Sequence, residues 1–160
     1  MRSGASIRAS DRLTTCRATS YTTVDFIDTS VLLYGALPPA TEPAKREKAR
    51  KILATREVAA SVQVLEEFYT QATRPSRNDR LTHADALAVL ERLIVLPVQT
   101  LTTELVLAAI VTCERFGISY WDGAIIEAAR ALGCAVVLSE DLNDGQDYGG
   151  VRVENPFRGC

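Results

Sequence analysis

Short apolar runs alternate with amphipathic stretches along almost the whole chain, and that alternation limits the possible folds more than any other feature. Residues 24–27, 58–61, 94–98, 134–138 and 151–153 are each about a strand long. Between them lie segments whose apolar residues recur at three- and four-residue spacing. Leu65, Phe68, Tyr69 and Ala72 form one such stripe, and Leu105, Val106, Ala109 and Cys113 form another. Strands that alternate with helices predict a parallel sheet covered on both faces, an α/β architecture of three layers.

Local signals set the expected boundaries. Asp28 ends the first run, and Val31 to Leu33 begin a helix that Thr29 or Ser30 can cap. Pro38, Pro39 and Pro43 break the chain, and Thr41-Glu-Pro predicts a helix start. Ser61 can cap the next helix, which Arg74-Pro75 ends. Thr82 with Asp85 makes a capping-box variant. Thr102 and Ser119 open two further helices, closed at Gly117 and Gly133. Residues 1–22 mix Ser, Thr, Arg and Gly without periodicity and are expected to be a flexible tail. Residues 23–160 are then one domain.

Composition narrows the functional classes. Apolar residues make up 47% and charged residues 24%, as in a packed globular chain. No apolar run approaches the roughly 20 residues that span a bilayer. The N-terminus lacks the apolar middle of a signal peptide. A cytoplasmic protein with no membrane association is expected. The four cysteines show no CxxC pairing, which argues against a zinc site or a disulfide framework. A net charge of −2 argues against broad, sequence-independent duplex binding. There is a single histidine, His83. Metal-free RNA cleavage relies on histidines as acid and base, so nuclease chemistry here would need a metal.

The acids carry the functional signal. In open parallel sheets, ligands bind beyond the carboxyl ends of the strands. Asp28 and Asp141 both stand where a predicted strand gives way to a turn, on the same sheet edge. Asp122 shares a helical stripe with Ile125, Ala129 and Leu132, which places a carboxylate near the interior. The pair Glu66 and Glu67 is ambiguous, because at about 100° per residue neither is central on its stripe. Asp25, Glu140, Asp144 and Asp147 are weaker candidates by position. Clustered carboxylates repel unless a hard cation neutralises them, and oxygen-only donors suit Mg²⁺ or Mn²⁺.

Four segments carry a family resemblance: FIDTSVLLY (26–34), SVQVLEEFYTQATR (61–74), ISYWDGAIIEAAR (118–130) and LSEDLNDGQDYGGVRVENPF (138–157). Together they resemble the PIN domain, and are especially similar to VapC-type toxins of bacterial toxin–antitoxin pairs. The likeness runs over roughly residues 23–157. It implies a PIN-like three-layer α/β/α sandwich with a central parallel sheet. It implies four site acids, Asp28, Glu67, Asp122 and Asp141, and it is the resemblance that chooses Glu67 over Glu66. Asp28, Asp122 and Asp141 would bind the metal, with Thr29, Ser30 and Ser139 as supporting hydroxyls. The implied activity is Mg²⁺- or Mn²⁺-dependent hydrolysis of RNA phosphodiester bonds. The implied partners are a cognate antitoxin protein and a second copy of the chain in a homodimer. An alternative within the family is a nuclease of RNA processing or decay that has no antitoxin. Arg74, Arg77 and Arg80, in the loop after the Glu67 helix, are candidate RNA phosphate contacts. The basic segment 45–51 reads as an ordinary charged helix face. The family's first strand usually begins within a few residues of the start, so the tail is a departure. The extra acids Glu140 and Asp144 are another.

Overall fold

The computed structural model describes residues 23–38 and 42–160. The expected tail, and Thr41 with it, lie outside the described residues. Five strands, β1 (Asp25–Ile27), β2 (Val58–Ser61), β3 (Val98–Gln99), β4 (Val136–Leu138) and β5 (Arg152–Glu154), form one sheet in the order β3-β2-β1-β4-β5. All four neighbouring pairs are parallel. Strands buried on both faces read as apolar runs, as Phe26-Ile27 and Val137-Leu138 do.

Six helices flank the sheet: α1 (Thr29–Ala36), α2 (Pro43–Thr55), α3 (Val62–Ala72), α4 (His83–Leu93), α5 (Thr103–Phe116) and α6 (Tyr120–Ala131). On one side α1 packs on α2 and α3, and α3 packs on α4. On the other side α5 packs on α6, which lies against β2, β3 and β4. The result is the α/β/α sandwich that the alternation predicts. Phe26, Ile27, Val31, Leu32, Val64, Phe68, Ile126, Val137 and Leu138 fill its centre with almost no exposure. Each such side chain contributes about 1.5–3 kcal/mol relative to an exposed position.

Helix starts follow the caps. Ser61, Thr82, Thr102 and Ser119 each accept a hydrogen bond from the backbone N–H three residues on. Gly117 closes α5 at φ +66°, a conformation that only glycine adopts at little cost.

Two expectations are corrected. The cap of α1 is Asp28 itself, whose carboxylate accepts from the Thr29 N–H at 2.7 Å, and this leaves the Thr29 and Ser30 hydroxyls free for other partners. The run 94–98 is not a strand along its length. Ile94 caps the end of α4, and Ile94 and Val95 are exposed, so pairing begins only at Val98. Apolar side chains alone do not make a strand where the sheet edge is out of reach. The helix before Arg74-Pro75 ends as expected, at Ala72, with Thr73 as its cap.

The strand order fixes where a site can form. From β1 the chain builds outward through β2 and β3, then returns to β4 on the other side of β1. The switch between β1 and β4 opens a crevice beyond the carboxyl ends of the strands. Residues 28–30 leave β1 there, and residues 139–141 leave β4 there.

Candidate active site

A cleft of about 490 Å³ occupies that switch point. Asp28, Glu67, Asp122 and Asp141 all line it, together with Thr29, Ser30, Gln63, Arg46, Trp121 and Glu140.

Asp28 is the most deeply set acid and is almost fully buried. Its register beside β4 is fixed by its backbone N–H, which donates to the Leu138 carbonyl at 3.0 Å. The Ser139 hydroxyl donates to Asp28 Oδ2 at 2.6 Å. Ser139 Oγ also accepts from the N–H groups of Asp141 and Leu142, at 3.1 and 3.3 Å. One hydroxyl therefore ties the acid after β1 to the turn after β4. Burial pushes the Asp28 carboxyl up to about 6. The Ser139 and Thr29 hydrogen bonds oppose that rise, and the charges of Asp141 and Glu67 add to it.

Glu67 reaches the cleft from α3, two turns above the Ser61 cap. It accepts from the Thr29 hydroxyl at 2.9 Å and from Gln63 Nε2 at 3.1 Å. The same Gln63 nitrogen donates to the Trp121 carbonyl at 3.3 Å, which couples α3 to the start of α6. Glu66 points to solvent. The neighbouring acids left open by periodicity are thus separated in space.

Asp122 sits in the first turn of α6 and is only partly buried. Its carboxylate accepts from the Ser119 hydroxyl at 2.8 Å, and its N–H donates back to Ser119 Oγ at 3.1 Å. The acid closes a reciprocal cap and also faces the cleft. The apolar stripe predicts deeper burial than the structure gives, because a helix start at the sheet edge is open to water.

Asp141 and Glu140 are distinguished by a cation. Lys45 forms ion pairs with Glu140 and, at 2.9 Å, with Glu42, and it donates to the Tyr34 hydroxyl at 3.1 Å. Asp141 makes no ion pair among the described residues. Burial raises its carboxyl above the usual range, and Glu140, Asp122 and Glu67 raise it further while Lys45 lowers it. Asp25 stands at the opposite end of β1, paired with Arg56 at 2.8 Å. Asp144 holds Arg158 at 2.6 Å, and neither it nor Asp147 lines the cleft.

The hydroxyls divide their work. Thr29 serves Glu67, Ser139 serves Asp28, and Ser30 Oγ accepts from the Glu140 N–H at 3.4 Å. Of the three loop arginines, Arg77 alone lines the cleft, and it is held bidentately by Asp79 at 3.0 and 3.1 Å. Arg74 and Arg80 are exposed away from it, with Arg80 donating to the Pro75 carbonyl at 3.5 Å. Sequence reasoning missed Gln63 and Arg46. The signal for Gln63 was a buried amide one turn before Glu67 on an apolar helix. Arg46 was hidden in a basic run.

The donors that face the cleft are carboxylate, hydroxyl and amide oxygens, a set that suits a hard divalent cation. None of Asp28, Glu67, Asp122 or Asp141 is ion-paired to a Lys or Arg among the described residues, so their mutual repulsion is not offset from within the chain. Among the described residues no three acids are drawn together as a ready-made ligand group. Unneutralised like charges are expected to stand apart in this way until a cation gathers them.

A family model for the PIN domain matches residues 26–143, which includes all four acids. The chain belongs to the PIN-domain family. Solved structures share its fold. VapC20 of Mycobacterium tuberculosis, described as a sarcin–ricin loop cleaving toxin, is 23% identical with a TM-score of 0.60, over 82% of this chain and 99% of that one. The DNA-bound VapBC of Salmonella typhimurium is 21% identical with a TM-score of 0.58, over 84% and 98%. A toxin–antitoxin complex from Klebsiella pneumoniae is 13% identical with a TM-score of 0.59, over 83% and 98%. No curated protein matches the sequence. In this PIN domain no helix among the described residues is long and apolar enough to cross a membrane.

Proposed function

We propose that this PIN domain is a divalent-metal-dependent endoribonuclease and the toxin half of a VapBC-like toxin–antitoxin pair. The observation that carries the nuclease reading is the set of four acids, without cationic partners among the described residues, in one cleft at the switch point. Asp28, Asp122 and Asp141 would hold Mg²⁺ or Mn²⁺, and Glu67 would complete the site or orient water. When bound, such an ion stabilises charge on a phosphodiester and lowers the pKa of a bound water.

The chain's own residues prepare that site. Ser139 and the Thr29 N–H hold Asp28 with both carboxylate oxygens engaged. Thr29 and Gln63 hold Glu67 in one rotamer. Ser119 orients Asp122. Lys45 neutralises Glu140, which leaves Asp141 as the available acid of that turn. The reaction is hydrolysis of an RNA phosphodiester, leaving 5′-phosphate and 3′-hydroxyl ends.

The toxin reading is supported by the fold shared with proteins solved as toxin–antitoxin complexes. A second feature supports it too. An apolar groove of about 850 Å³ lies between α1, α2 and α4, lined by Leu32, Leu53, Val89, Leu93 and Leu96 and edged by Arg50, Arg56 and Arg92. An antitoxin segment with apolar and acidic side chains would fit there, and its arginine could reach the acids. A homodimer would use the exposed stripe of Leu107, Ile110 and Val111 on α5. The protein would act in the cytoplasm, with residues 23–160 as the working domain and 1–22 as an appended tail.

The test is cleavage of a total-RNA pool with and without Mg²⁺, using wild type and Asp28→Asn, with the cut ends mapped. Cleavage in EDTA, or full activity in Asp28→Asn, would overturn the assignment. Co-purification with a small DNA-binding protein that suppresses cleavage would establish the toxin role. Its absence, with cleavage intact, would favour an RNA-processing nuclease.

A further inference from the structure

Among the described residues Arg46 is a cation with no carboxylate partner on the wall of the acidic cleft, and we propose that it holds a phosphate of the incoming single-stranded RNA. The inference rests on the ribonuclease reading and adds to it the residue that grips the strand.

Two arginines line the cleft among the described residues, Arg46 and Arg77. Arg77 is consumed by Asp79. Arg46 makes no ion pair among the described residues, although Glu42 and Glu140 share its cleft. Its neighbour Lys45 takes both of those acids. The Arg46 Nε is shut off from solvent and meets no acceptor among the described residues. Leaving a buried donor unmet is costly. So is a cation in the first turn of a helix, where the macrodipole favours negative charge. Arg46 is in the first turn of α2, which begins at Pro43. An anion with several oxygens against the guanidinium offsets the second cost, and turning the side chain towards that anion brings the Nε donor to an acceptor.

A phosphate supplies that match, because its oxygens accept the planar fork of N–H donors. The cleft also needs such a group. Four carboxylates repel a polyanion, and a metal offsets that repulsion only at the reacting phosphate. A guanidinium on the α2 wall offers a second anchor for a neighbouring phosphate.

The experiment compares wild type with Arg46→Met and Arg46→Lys. Anisotropy of a short fluorescent single-stranded RNA is followed in EDTA across a salt series, and cleavage of the same RNA is followed in Mg²⁺. The Met variant is expected to bind about tenfold more weakly and to raise KM about tenfold. Its kcat should stay within about threefold of wild type. Its log–log salt slope should be shallower by about 0.7, the loss of one single-strand phosphate contact. Arg46→Lys should keep the slope, because the charge remains, and should recover only part of the affinity, because the fork is lost. Equal affinity and slope in wild type and Arg46→Met would overturn the proposal. So would an unchanged RNA affinity together with a shifted Mn²⁺ affinity by calorimetry, since Arg46 would then serve only to balance the acids. A wild-type protein that neither binds nor cuts any RNA would remove the ribonuclease reading itself, and this inference with it.

Discussion

The Ser139 hydroxyl donates to Asp28 Oδ2 at 2.6 Å, joining two residues that are 111 positions apart in the chain. The bond spans the switch between β1 and β4 and sets the depth of the cleft. Ser139 is fully buried, so water cannot replace it. Ser139→Ala removes a donor from a buried carboxylate and an acceptor from two backbone N–H groups. A loss of about 1–3 kcal/mol is expected. Urea unfolding in EDTA measures it, and a midpoint equal to wild type would show that the bond is energetically idle.

Asp28 gives the metal-free protein a distinct pH dependence. Its carboxyl is near 6 in the fold and 3.8 is its ordinary value. A raised folded value means that the native state favours the protonated form. The contribution is therefore fully present below about pH 4 and is lost as pH rises through about 6, a total of ~3 kcal/mol. In EDTA, the Tm of wild type relative to Asp28→Asn should fall across that window. On the proposed metal site, Mg²⁺ should restore more stability at pH 7.5 than at pH 5, because a cation would bind the ionised acid. Asp28→Asn should flatten the EDTA profile and abolish the Mg²⁺ response. A wild-type Tm that does not fall relative to Asp28→Asn between pH 4 and 6 would contradict the burial-driven shift.

The two adjacent glutamates should behave differently. Glu67 is held by Thr29 and Gln63 at the cleft, whereas Glu66 faces solvent. Glu67→Gln is expected to lower activity or metal affinity about 10–100-fold. Glu66→Gln should stay within about twofold of wild type. Comparable losses in both variants by cleavage assay would mean that α3 is rotated from the position described.

Gly123, next to Asp122, marks the close approach of α6 to α5. A Cβ there would stand 2.8 Å from the Ala109 carbonyl oxygen and 3.4 Å from Cys113 Cβ. The first contact is with backbone, which cannot rotate away. Gly123→Ala should cost about 1–3 kcal/mol by forcing the helices apart. Thermal unfolding checks it, and an unchanged or raised Tm would show that the pair has slack.

The sequence alone determined the layered α/β class and the caps at Ser61, Thr82, Thr102 and Ser119. It also determined that Asp28 and Asp141 share a sheet edge. These features follow from local periodicity, cap chemistry and the parallel-sheet rule, all of which act within a few residues of chain. The run 94–98 failed for the converse reason, because pairing depends on a neighbouring strand and not on side chains alone. Only the tertiary structure decided which of two neighbouring side chains faces the cleft. Glu67 is held there by Thr29 from another helix. Glu140 is taken by Lys45, which leaves Asp141 without an ion pair among the described residues. Arg46 was indistinguishable from its basic neighbours until α2 was set against the cleft wall. A rotation of about 100° per residue separates such neighbours, and only packing across the fold fixes its origin.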